Sequence, residues 1–235
     1  LLWISYLDPY GKPRHGVAYL SQSVANSPNE LGDNAKDWIR GVGQPSVGNP
    51  RHDLSRKSEL GNCQTFTEPS LFHRQGETYL AANCLVMKNG QRRVDLERLV
   101  LLREQESGYE FVGDLLTGSD AARFGVERLE QAELTTSKDG DLLLLATPMS
   151  GGANHAGCFV LEVESLDPPR MARHSDGSLK TPVFVTDSGS KEKGPGACSY
   201  DPNSETGVII VRRDFEFDKK PPRIAFSLLA TGYHP

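Results

Sequence analysis

Thr67-Glu68-Pro69-Ser70-Leu71-Phe72 leads after three residues into Gly76-Glu77-Thr78-Tyr79-Leu80-Ala81. The stretch reads as an extended run, a tight turn on glycine, and a second, apolar extended run. The pattern returns in Glu133-Leu134 followed by Asp139-Gly140-Asp141-Leu142-Leu143-Leu144. It returns again in Ala197-Cys198 followed by Gly207-Val208-Ile209-Ile210. Gly76 and Gly140 stand 64 positions apart, Gly140 and Gly207 67. A strand–turn–strand unit recurring at that period, with room for two further strands, is the sequence form of a propeller blade. A blade is a small twisted sheet that buries both faces only by packing on its neighbours. The competing arrangement is a β-sandwich with accidental spacing.

Four strand groups follow from this frame. Leu2–Leu7, Gly16–Ser21 and Trp38–Val42 form the first. Glu68–His73, Thr78–Met87, Glu97–Arg103 and Tyr109–Leu115 form the second. Glu133–Thr136, Leu142–Ala146, Cys158–Glu164 and Arg170–His174 form the third. Ala197–Tyr200, Val208–Arg212 and Arg223–Leu229 form the fourth. Helical periodicity is scarce, and a short helical turn is expected only between Ala121 and Glu133. The fold class is therefore all-β, a propeller of four-stranded antiparallel blades, with residues 1–235 as one domain. The first residues, Leu1 to Tyr6, read as a strand already under way, with neither an initiator Met nor a signal-peptide pattern. The natural chain is expected to extend further toward the N-terminus.

Composition narrows the partner. A formal net charge of −5 and the lack of a basic stripe argue against nucleic acid. No apolar run reaches the roughly 18 residues of a membrane helix. Cys63, Cys84, Cys158 and Cys198 include no CxxC pair, which argues against a zinc site. Their spacing leaves free thiols and bridges equally open. An extracellular or periplasmic location is favoured over a cytoplasmic one. No cofactor is called for, although a structural calcium ion has a place in such a channel.

In a propeller the first strand of each blade lines the central channel. Its starting end shares one face with the loops between second and third strands and with the links between blades. Glu68 and Glu133 fall at first-strand starts and are the candidate catalytic residues. Arg14, His15, Asn154, His155 and Arg213 fall in second-to-third loops, as does the Lys88–Arg93 segment, and Arg123 falls in an inter-blade link. Arg14, His15, Arg123, Asn154, His155 and Arg213 are the candidate substrate-binding residues. Cleaving a glycosidic bond takes one carboxylic acid to protonate the leaving oxygen and a second carboxylate to activate water or attack the sugar. Two acids on adjacent blades suit that division of work.

Glu68-Pro69-Ser70-Leu71-Phe72 with Gly76-Glu77-Thr78-Tyr79-Leu80 resembles a signature of the five-bladed propeller glycosidases, the arabinanase, xylosidase and invertase group. That signature is an acidic residue, Pro, then Asp-Gly-x-Tyr-Tyr-Leu. Glu133-Leu134 with Asp139-Gly140-Asp141-Leu142-Leu143 repeats it, and the likeness runs from Thr67 to about Ile210. The resemblance implies five blades, an oligo- or polysaccharide substrate, and three carboxylates from successive blades. Glu68 would match the second-blade acid, with Glu where Asp is usual, and Glu133 the third-blade general acid. The first-blade Asp would precede Leu1. Six-bladed sialidases share the strand pattern. Their Ser-x-Asp-x-Gly-x-x-Trp turn survives at best as Glu106-Ser107-Gly108-Tyr109-Glu110-Phe111. A non-catalytic propeller that binds glycan or protein is the alternative of a different class.

Overall fold

The computed structural model describes residues 2–5, 19–22, 27, 39–42, 58–60, 62–63, 65–89, 91–106, 108–150, 153–154, 157–186, 196–216 and 223–235. Arg14, His15 and His155 lie outside these, as do the side chains of Asn154 and Arg213.

The strands fall into separate antiparallel sheets in chain order. The first holds β1 (Leu2–Ser5), β2 (Tyr19–Gln22) and β3 (Ile39–Val42). The second is a four-stranded meander of β4 (Thr65–Arg74), β5 (Glu77–Leu85), β8 (Arg98–Gln105) and β9 (Gly108–Thr117). A two-stranded hairpin, β6 (Met87–Lys88) with β7 (Gln91–Arg92), stands in its second-to-third loop.

The third sheet is ordered β10 (Arg128–Thr136), β11 (Leu142–Ser150), β13 (Gly157–Leu166), β14 (Pro169–Met171). The short β12 (Ala153–Asn154) pairs with β11, and β15 (Val183–Thr186) pairs with β13. The fourth holds β16 (Gly196–Ser199), β17 (Ile209–Glu216) and β18 (Arg223–Ala230). The first strands converge: β4 lies against β10, and β10 against β16.

The tight turns sit where the glycine spacing put them. Gly76, Gly140 and Gly207 have φ of 82°, 91° and 68°, a backbone region that glycine enters without steric cost.

Three boundaries differ from the sequence reading. The first strands begin at Thr65, Arg128 and Gly196 rather than at Glu68, Glu133 and Ala197. Pro69, inside the strand, is accommodated in a β-bulge, where no ladder N–H is required. The helical turn is α1 (Gly118–Arg123), earlier than expected. Thr117 caps it, sharing the Asp120 carboxylate between its N–H and its hydroxyl at 2.9 Å each. The outer strand of the third sheet, read as one run over Arg170–His174, is split into β14 and β15.

The second strand of each complete sheet is buried on both faces, which explains its continuous apolar run. On β5, Tyr79 and Ala81 join a core with Leu134, Leu144 and Ala146 of the third sheet. The alternate Leu80, Ala82 and Cys84 pack on the other side with Leu60 and Phe66. On β11, Leu143 and Leu145 turn the other way, toward Cys198, Tyr200, Val208 and Ile210. Among the described residues, the boundaries between the second and third sheets and between the third and fourth are thus each filled from both sheets. Both cysteine pairs are bridged. Cys63–Cys84 closes the entry to the second sheet, and Cys158–Cys198 ties β13 to β16 across a sheet boundary.

Candidate functional site

The site is built on a kink that two neighbouring first strands share. On β4 the register shifts between Thr67 and Ser70, and on β10 between Glu130 and Glu133. In each case two residues face one on the partner strand, which bends the chain and re-aims a side chain. The leading bulged residue is left-handed in both: Glu68 at φ 52° and Gln131 at φ 56°. Such a conformation in a non-glycine residue persists only where its surroundings fix it. Glu68 is therefore the structural counterpart of Gln131, and Ser70 that of Glu133. The residues opposite the kinks also correspond. Thr67 pairs with Asn83 and Glu130 with Thr147, and both Asn83 and Thr147 are buried.

The kink delivers the Glu68 carboxyl to the next sheet. Its Oε2 accepts hydrogen bonds from Asn83 Nδ2 at 2.5 Å and from the backbone N–H of Gln131 at 3.0 Å. Burial pushes this carboxyl up to about 7, and the neighbouring Glu130 charge adds to the rise. The two hydrogen bonds and the Arg92 cation oppose it. Near neutral pH the group is divided between acid and carboxylate.

Glu130 lies beside it, 8% exposed. Its Oε1 accepts from Arg92 Nη2 and from Arg128 Nε, each at 2.7 Å. Arg92 comes from β7 and also grips Glu97, with Nε to Oε1 at 2.5 Å and Nη2 to Oε2 at 2.8 Å. Fork-to-fork pairing of this kind is directional as well as strong. Two further atoms stand out. Asn83 Oδ1 and Gln131 Oε1 are buried and have no hydrogen-bond partner. Buried acceptors are rarely left so, and both belong to residues that bond Glu68.

Glu133 has different partners. It accepts from Ser199 Oγ at 3.1 Å and from the Tyr200 N–H at 3.0 Å, while the Thr135 hydroxyl donates to the Tyr200 carbonyl at 2.9 Å. Burial raises its carboxyl, and those two bonds oppose the rise. This arrangement clamps the third sheet to the fourth. Arg123 ends α1 and lines a cleft of about 650 Å³ with Phe124, Phe159, Asp176 and Ser178, none of which belongs to the Glu68 group. Among the described residues no group of three or more His, Cys, Asp or Glu could hold a metal ion.

Reading from the glycine turns missed Asn83, Glu97, Arg128, Glu130 and Gln131. A signal existed. Aligning Glu130-Gln131-Ala132 with Thr67-Glu68-Pro69 sets the two kinks in register and puts Glu130 one position before the bulge.

No protein-family model matches the sequence, and no curated protein matches it significantly. Solved structures do. A levansucrase mutant from B. megaterium superposes over 97% of this chain and 60% of its own, at 11% identity and a TM-score of 0.50. The fold is a β-propeller. The endo-arabinase of Bacteroides thetaiotaomicron covers 99% of this chain and 75% of its own, at 12% identity and a TM-score of 0.48. The GH43 protein BlXynB of Bacillus licheniformis covers 93% and 38%, at 11% and 0.45. The propeller segment described here thus spans less than two thirds of the levansucrase and of BlXynB. In propeller terms Glu68 reaches from the first strand of one blade to the first strand of the next, and Glu133 repeats that reach one blade on.

Proposed function

We propose that this chain carries the acid half of a glycoside-cleaving site. Glu68 is the proton-bearing carboxyl and Glu130 its ionised neighbour. The single observation that carries this reading is the Glu68 carboxyl itself: half-buried, held on a left-handed kink at an inner-strand bulge, and raised to about 7 by desolvation. A group in that range holds a proton at working pH and releases it readily. When the proton passes to the leaving oxygen, the new carboxylate is received by the Gln131 N–H, the Asn83 amide and the Arg92 charge. Glu130, held by Arg92 and Arg128, faces the positive charge developing on the sugar. The unpartnered Asn83 Oδ1 and Gln131 Oε1 call for hydroxyl donors, which a neutral oligo- or polysaccharide supplies. Two disulfides favour an extracellular or periplasmic setting.

A non-catalytic glycan-binding propeller is the second reading. It is favoured by the fact that Glu68, like Glu133, bonds a backbone N–H of the next blade and so also works as a clasp. Sugar release from a panel of neutral oligosaccharides, measured for wild type and Glu68→Gln, separates the two. Hydrolysis should fall on the order of 100-fold in the variant, and less on an activated aryl glycoside whose leaving group needs no proton. A wild type that binds the panel and cleaves none of it overturns the catalytic reading.

A further inference from the structure

We propose that Arg92 and Glu97 are a charge-setting pair for the Glu68 site, with Arg92 as the positioning residue that joins the β6–β7 hairpin, the Glu130 carboxylate and Glu68 into one unit. The inference deepens the reading of Glu68 as the proton-bearing carboxyl.

The geometry is specific. Arg92 ends a two-stranded hairpin that stands at the surface, and its own side chain is 37% exposed. Its guanidinium turns inward to two carboxylates that are each 8% exposed: Glu97 on the return of its own loop, and Glu130 on the neighbouring blade. Arg128 donates to the same Glu130 oxygen. The charged groups that act on Glu68 are Glu130 from β10 and Arg92 from β7; Glu97, ahead of β8, and Arg128, on β10, bear on it through their bonds to those two. Asn83 on β5 is neutral. Two cations balance two anions. Glu127, on the far side of Arg128 at 3.7 Å, is half exposed and screened by solvent. Removing Arg92 strands the buried Glu97 carboxylate, and removing Glu97 leaves the part-exposed Arg92 cation with Glu130 as its remaining partner, so each change has a known sign. Arg128 keeps Glu130 in place meanwhile.

The balance makes an opposite-sign prediction that a merely structural role does not. Arg92→Gln leaves the set negative and should move the Glu68 titration midpoint upward by about one pH unit. Glu97→Gln leaves it positive and should move the midpoint downward by a similar amount. The double variant should return close to wild type. The readout is the carboxyl carbon resonance of Glu68 in glutamate-labelled full chain, assigned by its loss in Glu68→Gln. It requires no substrate. If Arg92→Gln does not fold, the downward movement in Glu97→Gln decides alone. Midpoints that move in the same direction in both single variants, or in neither, overturn the inference. The opposite-sign pattern in a protein that cleaves no glycoside upholds it, and overturns the hydrolytic reading instead.

Discussion

Glu68 has a consequence for stability that can be measured apart from any activity. Its folded-state carboxyl titrates at about 7, against an ordinary value of 4.5. Below pH 4.5 the group is protonated folded or unfolded and has no effect. Between 4.5 and 7 the unfolded chain releases the proton that the folded chain keeps, so stability falls as pH rises. Above 7 the cost is complete, about 3 kcal/mol. Glu68→Gln removes the ionisation. Thermal melts should therefore show the variant gaining stability over wild type from pH 5 to pH 8. Equal gains at both pH values would mean that the carboxyl is not the source.

Glu133 should behave in the opposite way. Its carboxylate oxygen receives Ser199 and Tyr200, so Glu133→Ala strands a buried N–H and should cost about 1–3 kcal/mol. Glu133→Gln keeps an acceptor and should retain most hydrolysis on the panel that Glu68→Gln fails. A loss in Glu133→Gln as large as in Glu68→Gln would return Glu133 to the acid role read from the sequence.

At the scale of elements, the blades meet through close approaches as much as through side-chain burial. A Cβ on Gly113 of β9 would stand 2.6 Å from Pro169 Cγ and 2.8 Å from its Cδ. This is where the outer strand of one blade passes β14 of the next. Gly113→Ala should cost about 1–3 kcal/mol by overpacking, read as a lower midpoint in urea. An unchanged midpoint would mean that the two strands part without penalty. The same scale shows what the sequence could convey. Turn glycines and doubly buried second strands are local signals, so Gly76, Gly140 and Gly207 set the blade frame, and the Leu142–Leu145 run marked a central strand. The register within a first strand is not local. Counted back from the turns, Glu133 falls near Glu68, but the turn after β10 spans Ser137 to Asp141 where that after β4 needs only Gln75 and Gly76. The kinks therefore stand one position out of step with the glycines. Arg92 was within reach as part of a rim loop. Its partner Glu130 was not, because the pairing joins residues 38 positions apart.

At the scale of the whole molecule, one blade boundary is fastened covalently. Cys158–Cys198 is buried and joins the third strand of one blade to the first strand of the next across 40 residues. Closing a loop of that length restricts the unfolded chain, and removing the bridge should cost about 2–4 kcal/mol. Cys63–Cys84 closes a shorter loop of 21. Thiol titration should find no free sulfhydryl before reduction and four after reduction in denaturant. Melting with reductant should fall below melting without it. Cys158→Ser/Cys198→Ser should reproduce the larger share of that fall. Free thiols in protein recovered from an oxidising compartment would contradict the bridges.

The doubled kink also makes the chemistry portable. Glu68 and Gln131 occupy interchangeable seats on adjacent blades: the same backbone bend, the same left-handed residue, a buried polar side chain opposite each. One seat holds an acid and the other its amide analogue, which differs by a single exchange of oxygen for nitrogen. Swapping the occupants would rotate the acid by one blade about the central axis without redrawing a strand. A scaffold of this kind can relocate a desolvated carboxyl around a ring in small steps, so that which blade bears the acid is a matter of occupancy rather than of architecture.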